Sequence, residues 1–415
     1  MTNFDRGREA LLAGGVGRKE QITICGGEKC SLYGSDGREY LDFTSQAWSY
    51  TVGINHPRVR EAVIRQINII SHLRTSFDSD VKLILSDKLT RINKELCKVN
   101  YALHGSNSIE GAVKLSLNRR KGPIMVLEHG FHGRTIFTHN LSWDKYILDN
   151  NIITVPEAYC YRCKFSLEYP ICNMECLNNI ENIIKKSNPS TFIMEVVQGN
   201  GGQICFPPEF VCGMRDLCDM YDITFILDDI QCGFGRCGVL LGSELFNIIP
   251  DIVVFGKALG GGYPISGFLC KDMFSFKSAQ HSFTFSHFPV SMAASVATLD
   301  VIKDENIIEQ ATCKGAYLTK KLTFLKDSYD LIGDVRGPGL MIGVELVLEN
   351  NVEAAKEAQF LVSYAMENGV IFGVSKHSGL GNVIKFKPPA VVTYEEIDRA
   401  VDVFEQGLKL VERIK

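Results

Sequence analysis

Between about residues 58 and 325, short apolar runs alternate with stretches of helical period. PIMVLEHG, NIITVPEA, TFIMEVV, ITFILDD and DIVVFGK are continuous apolar runs of strand length, the pattern of strands covered on both faces. VREAVIRQINII and LILSDKLTRINKEL carry the helical period. Such alternation predicts a mostly parallel sheet with helices on both faces. Upstream, KCSLYGSDGREYLDF predicts a hairpin that turns at Ser35-Asp36-Gly37. After Lys326 the pattern changes. LIGDVRGPGLMIGVELV and VIFGVS read as strands, EAAKEAQFLVSYAMENG as a helix, and YEEIDRAVDVFEQGLKLVERIK as a final amphipathic helix. The expected organisation is a large α/β domain over 46–325. A smaller α+β domain is built from 1–45 and 326–415, with the N-terminal hairpin returning to the C-terminal segment.

Composition narrows the function classes. The chain has 415 residues, 45% hydrophobic and 22% charged, with net charge −4. It has no basic runs, so nucleic-acid binding lacks electrostatic support. MTNFDRGREALLAGG lacks the apolar segment of a signal peptide. No apolar run approaches the roughly 18–20 residues that span a membrane. The 14 cysteines are therefore expected to be reduced thiols of a cytoplasmic protein.

The candidate chemistry begins in ITFILDDIQCGFGRCG (223–238). An apolar strand ends in Asp228 and Asp229, at the edge of a sheet where α/β proteins bind ligands. A carboxylate buried there needs a cationic or protonated partner. DIVVFGKALGGG then delivers Lys257 from a strand end into a glycine-rich turn. A desolvated lysine amine can form a Schiff base, and an aspartate on a neighbouring strand end suits a protonated pyridine nitrogen. Together they are the protein side of pyridoxal phosphate chemistry.

The stretch Asp228 to Gly238 resembles the D-E-V-Q-T-G-F-G-R-T-G signature of class III (ω-type) aminotransferases, and the order of motifs agrees from about Tyr33 to the C-terminus. The resemblance implies a fold-type I enzyme with a mostly parallel seven-stranded sheet, pyridoxal 5'-phosphate as cofactor, and a homodimer with shared active sites. It implies that Lys257 is the Schiff-base lysine, Asp228 the partner of the ring nitrogen and Gln231 the neighbour of the ring's phenolic oxygen. LHGSNSIEGAVKLS implies a phosphate cradle at Gly105, Ser106 and Asn107. FHGRT implies ring contacts from Phe131 and His132 and a carboxylate-binding role for Arg134. In HSFTFSHF, Thr284 matches a threonine that reaches the phosphate of the other subunit. The implied reaction moves an amino group from an amine to an oxo acid. The same lysine and aspartate serve isomerases, epimerases, decarboxylases and amino-lyases of this fold, so these stay open.

Two departures stand out. QGNGG places Asn200 where the family often has glutamate, and IKFKPPA places Lys385 where it has arginine. Lysine offers a point charge in place of a planar fork. The usual dual-substrate gate is thus expected to be absent or rebuilt, with Lys385 still able to meet a carboxylate. AYCYRCKFSLEYPICNMEC gathers Cys160, Cys163, Cys172 and Cys176. Packing thiols, structural zinc and redox chemistry are the readings, and no metal is assigned.

Overall fold

The computed structural model describes residues 22–147, 149–375 and 381–414. The central sheet contains β4 (Lys98–Ala102), β5 (Ile124–Leu127), β6 (Ile152–Val155), β7 (Thr191–Glu195), β10 (Thr224–Asp228), β11 (Ile252–Phe255) and β12 (Ser266–Cys270). Its order is β4-β12-β11-β10-β7-β5-β6. Strands β11, β10, β7, β5 and β6 pair in parallel, and β12 runs antiparallel to both its neighbours. All five apolar runs of the sequence are strands here. Every residue of β5, β7, β10, β11 and β12 is buried, as a sheet covered on both faces requires.

The second sheet joins the two ends of the chain. It contains β1 (Ile24–Glu28), β2 (Ser31–Gly34), β3 (Glu39–Phe43), β13 (Ile332–Arg336), β14 (Ile342–Leu346), β15 (Val370–Val374) and β16 (Val383–Phe386), in the order β1-β2-β3-β15-β16-β14-β13. The hairpin β2–β3 returns to the C-terminal segment through parallel pairing of Val370, Ile371 and Phe372 with Leu41, Asp42 and Phe43. Residues 1–21, part of the expected small domain, lie outside the described residues. A short ribbon, β8 (Val197–Gln198) with β9 (Ile204–Cys205), follows β7.

One apolar core runs between the sheets, from Val253, Phe255 and Leu269 through Ala294 and Val301 to Phe43, Ile384, Phe386 and Phe404. Helices Pro289–Asp304 and Ile307–Lys326 carry the chain from one sheet to the other. The helix expected in LILSDKLTRINKEL is shifted. It starts earlier, at Asp80, where the Ser79 side chain caps Lys82 N, and it stops at Thr90. The Asn93 side chain accepts from Glu95 N in a local turn that competes with further helix. No helix among the described residues is long and apolar enough to cross a membrane.

Candidate active site

The site forms where the central strands end. Asp228 is the last residue of β10 and pairs in register with Glu195, the last residue of β7, so two buried carboxylates stand side by side. Their environments separate them. Asp228 Oδ2 lies 2.8 Å from His132 Nδ1, and its Oδ1 accepts from Ile230 N at 3.2 Å. Glu195 accepts from Phe131 N at 2.9 Å and Gly199 N at 3.1 Å. Burial, reinforced by the Asp228 charge, pushes the Glu195 carboxyl up to about 7, against the lowering effect of His132.

Lys257 follows β11 after Gly256 and opens a short 3₁₀ turn, Lys257–Gly260, with a left-handed φ of 40°. A lysine in this conformation is strained, and such strain persists where the surroundings over-determine it. The following turn needs glycine. A side chain at Gly262, with φ 99°, would meet the Tyr50 ring at 2.2 Å. Desolvation pulls the Lys257 amine below the ordinary lysine range, while Asp228 and Glu195 oppose that shift.

A cavity of about 470 Å³ connects these groups. Its walls include Gly105, Ser106, Phe131, His132, Arg134, Asp228, Gln231 and Lys257, which were expected from sequence. Ser49, His104 and Tyr263, which the sequence did not suggest, also line it. Helix Gly105–Arg119 starts at the wall, with the first-turn amides that a helix leaves unpaired. Gln231 is buried, and its Oε1 has no hydrogen-bond partner among the described residues. Asp229 turns away. Its Oδ2 accepts from Gly242 N at 2.9 Å, and burial drives its carboxyl well above the ordinary range.

Three expected residues do not line the cavity. Asn107 sits one residue deeper in the helix. Thr284 is exposed on the surface of this chain. Lys385, on β16, is buried with its Nζ 5.2 Å from the centre of the Trp48 ring. Arg134 lines the cavity but is half exposed and ion-paired with Asp144. Asn200 belongs to the loop after β8, where its carbonyl accepts from Ser375 Oγ at 2.7 Å. Besides those wall residues, Glu195 and Lys387 also escaped the sequence reading. Glu195 ends TFIME as Asp228 ends TFILD, a parallel that was visible. Lys387 lies two residues after Lys385, and the K-x-K spacing of a strand was its signal.

The residues present fit pyridoxal phosphate. A buried carboxylate-imidazole pair, a desolvated amine, an unpartnered amide oxygen and a helix N-terminus share one cavity of a cofactor's size. Elsewhere, Cys160, Cys163, Cys172 and Cys176 line one small cavity and are free thiols. Among the described residues, no group of three or more His, Cys, Asp or Glu is arranged to hold a metal ion.

Comparison with known proteins agrees with this geometry. A family model described as aminotransferase class-III matches residues 16–408. The chain is 31% identical to an acetylornithine aminotransferase of Clostridium acetobutylicum, covering 94% of this chain and 96% of that protein. It is 30% identical to a leucine/methionine racemase of Thermococcus litoralis, covering 94% and 91%. A transaminase structure from the marine bacterium Virgibacillus superposes with TM-score 0.90 at 22% identity, covering 99% of this chain and 98% of that one.

Proposed function

Since the chain belongs to the class III aminotransferase family, a pyridoxal-phosphate-dependent family of fold type I, we propose that its amino donor is a carboxylate-bearing amine, an α- or ω-amino acid. The observation that supports this reading is that Lys257, the Asp228–His132 pair and Arg134 line one cavity.

Pyridoxal phosphate supplies an electron sink for the carbon that bears the substrate's amine. The chain's own residues do the rest. Asp228 holds a proton on the ring nitrogen, and His132 fixes the direction of that carboxylate. Lys257 anchors the cofactor through its amine, then moves protons as general base and acid. Its lowered proton affinity in the desolvated site suits that task. Gln231 would meet the phenolic oxygen and Phe131 the ring, and the amides at the start of the Gly105–Arg119 helix, those of Gly105, Ser106 and Asn107, would hold the phosphate.

Thr284 is exposed on this chain, which suits a residue that serves the phosphate of a second subunit. The working unit is then a homodimer with shared sites. The two sheets are read as the cores of domains 46–325 and 1–45 with 326–415. The fourteen free cysteines suit a reducing, cytoplasmic setting.

Visible absorbance of the holoenzyme tests the function. An amino donor shifts the spectrum, and only an added oxo acid restores it. A second reading, amino-acid racemisation, draws on the racemase relative at 30% identity. A racemase restores its own spectrum without an oxo acid and abolishes the optical rotation of its substrate.

A further inference from the structure

Trp48 stands at the centre of an unusual arrangement. It ends a run of four non-glycine residues in left-handed conformation, Ser45, Gln46, Ala47 and Trp48, with φ 45°, 45°, 62° and 68°. Each such residue is disfavoured by roughly 1–2 kcal/mol. A dense network holds the turn. Asp42 accepts from Thr44 N at 2.8 Å, Gln46 N at 3.1 Å and Gln46 Nε2 at 3.2 Å. Ser45 Oγ accepts from Arg236 Nη2 at 2.7 Å and donates to the Lys387 carbonyl at 2.7 Å.

The turn presents the indole to three lysines. The Nζ of Lys387 lies 3.2 Å from the ring centre, that of Lys385 5.2 Å and that of Lys257 5.4 Å. Trp48, Lys385 and Lys387 are 7%, 4% and 4% exposed. Among the described residues, Lys387 meets no carboxylate at ion-pair distance. The buried Nε1 of Trp48 has no hydrogen-bond partner among them either. A buried amine without a counter-charge and a buried donor without an acceptor ask for the same thing, an anion with several acceptor oxygens.

We propose that Lys387, with Lys385 and the Trp48 Nε1–H, forms the clamp for a substrate carboxylate, two ammonium groups replacing one planar guanidinium. This rests on the amino-transfer reading and adds Lys387 and Trp48 as its specificity-determining residues. The strand explains the pairing. Lys385 and Lys387 are two apart along the line of β16, so both reach the same face. The strained turn then fixes the indole against their amines, and Lys257, whose Nζ lies 5.4 Å from the centre of the same ring, ties the cluster to the cavity that it lines.

Protonation gives the clamp a signature. Burial, and then Lys385, hold the Lys387 amine well below the ordinary lysine range. The charged groups acting on it are Lys385 on its own strand segment, Asp42 from β3, Arg236 from the glycine-rich turn, and Lys257. Asp42 alone favours the charged form. A carboxylate arriving beside Lys387 also favours it, so binding takes up a proton at any pH where the free amine is partly neutral.

The test is calorimetric titration of holoenzyme with glutarate, an unreactive dicarboxylate, in buffers of different ionisation enthalpy. Glutaramide is the neutral control. Parent holoenzyme binds glutarate with net proton uptake and does not bind glutaramide. In Lys387→Met the dissociation constant rises about 10-fold or more and the proton uptake disappears. Lys387→Arg restores affinity without proton uptake, because guanidinium is always charged. Circular dichroism and retained cofactor absorbance establish that each variant is folded. Equal affinity and equal proton uptake in parent and Lys387→Met overturn the clamp. Since the readout is binding, that result leaves amino transfer, measured separately by absorbance, standing or falling on its own.

Discussion

His132 Nδ1 lies 2.8 Å from Asp228 Oδ2, with the imidazole fully buried and the carboxylate nearly so. With the ring hydrogen on Nδ1, the histidine donates to one oxygen while Ile230 N donates to the other. The carboxylate is thereby aimed before any ligand arrives. Replacing His132 by alanine leaves the charge of Asp228 but frees its direction. We expect kcat to fall about 10- to 100-fold, as for other orienting partners, with His132→Asn recovering part of the loss. Asp228→Asn removes the charge itself and is expected to cost on the order of 4 kcal/mol of transition-state stabilisation, about a thousandfold in rate. Steady-state kinetics on the three variants check the order. A His132→Ala loss as large as that of Asp228→Asn would mean that the imidazole acts directly.

Lys257→Ala is expected to abolish turnover and covalent attachment of the cofactor, while the phosphate cradle keeps some of it bound. Mass spectrometry after borohydride reduction reads the attachment directly. Label retained on the alanine variant would place the reactive amine elsewhere, with Lys387 the first residue to examine.

Glu195 predicts a pH dependence of stability. Its carboxyl is raised from 4.5 to about 7 in the folded protein. The native state therefore binds a proton more tightly than the unfolded chain does, and stability falls as pH rises through that window. The full loss above pH 7 is on the order of 3 kcal/mol for this group. Glu195→Gln carries a fixed penalty, because its amide nitrogen faces one of two backbone donors, but that penalty does not vary with pH. The readout is thus the slope of urea midpoint against pH from 5 to 8, which should be shallower in Glu195→Gln. Parallel curves would show that Glu195 stays ionised throughout.

Assembly follows from Thr284. If it serves the phosphate of a neighbouring subunit, an isolated chain has an incomplete site, and cofactor retention is coupled to association. Sedimentation across a dilution series should show cofactor release tracking dissociation. Thr284→Val should weaken retention by roughly 10-fold, one hydrogen bond to a charged group. An active monomer at working concentration would refute the shared site.

The strands of the central sheet were legible because they are covered on both faces and so read as unbroken apolar runs. Asp228 and Lys257 were legible for the opposite reason, since polar residues at the ends of such runs violate the pattern. The clamp was not. IKFKPPA shows two lysines, but only the left-handed turn at Ser45–Trp48 brings an indole against them. Four consecutive left-handed residues without glycine carry no local signal. Glu195 was hidden differently. It ends its strand as Asp228 does, but its importance comes from register with β10, a long-range pairing. Asn107 shows the reverse limit, because matching a motif does not bring a side chain to the cavity wall.

Substrate choice follows from how the cations are already engaged. The lysine pair offers point charges to one carboxylate, which pyruvate and 2-oxoglutarate share. The distal carboxylate of 2-oxoglutarate has Arg134 nearby, but that guanidinium is half exposed and already paired with Asp144. Gripping the distal group means breaking an existing pair, so little net preference remains. We expect kcat/KM for 2-oxoglutarate and pyruvate to agree within about 10-fold, since an exposed charge pair is worth roughly 1 kcal/mol or less. Asp144→Asn releases Arg134 with little change of shape and should raise the ratio toward 2-oxoglutarate by a further 10-fold or so, the value of one charge-assisted contact. Asn200→Glu combined with Lys385→Arg restores a fork on the other side and should raise the use of both acceptors together. A parent enzyme that already favours 2-oxoglutarate a hundredfold would mean that Arg134 leaves Asp144 for substrate at no net expense. The same result would identify the distal carboxylate as the group this site selects.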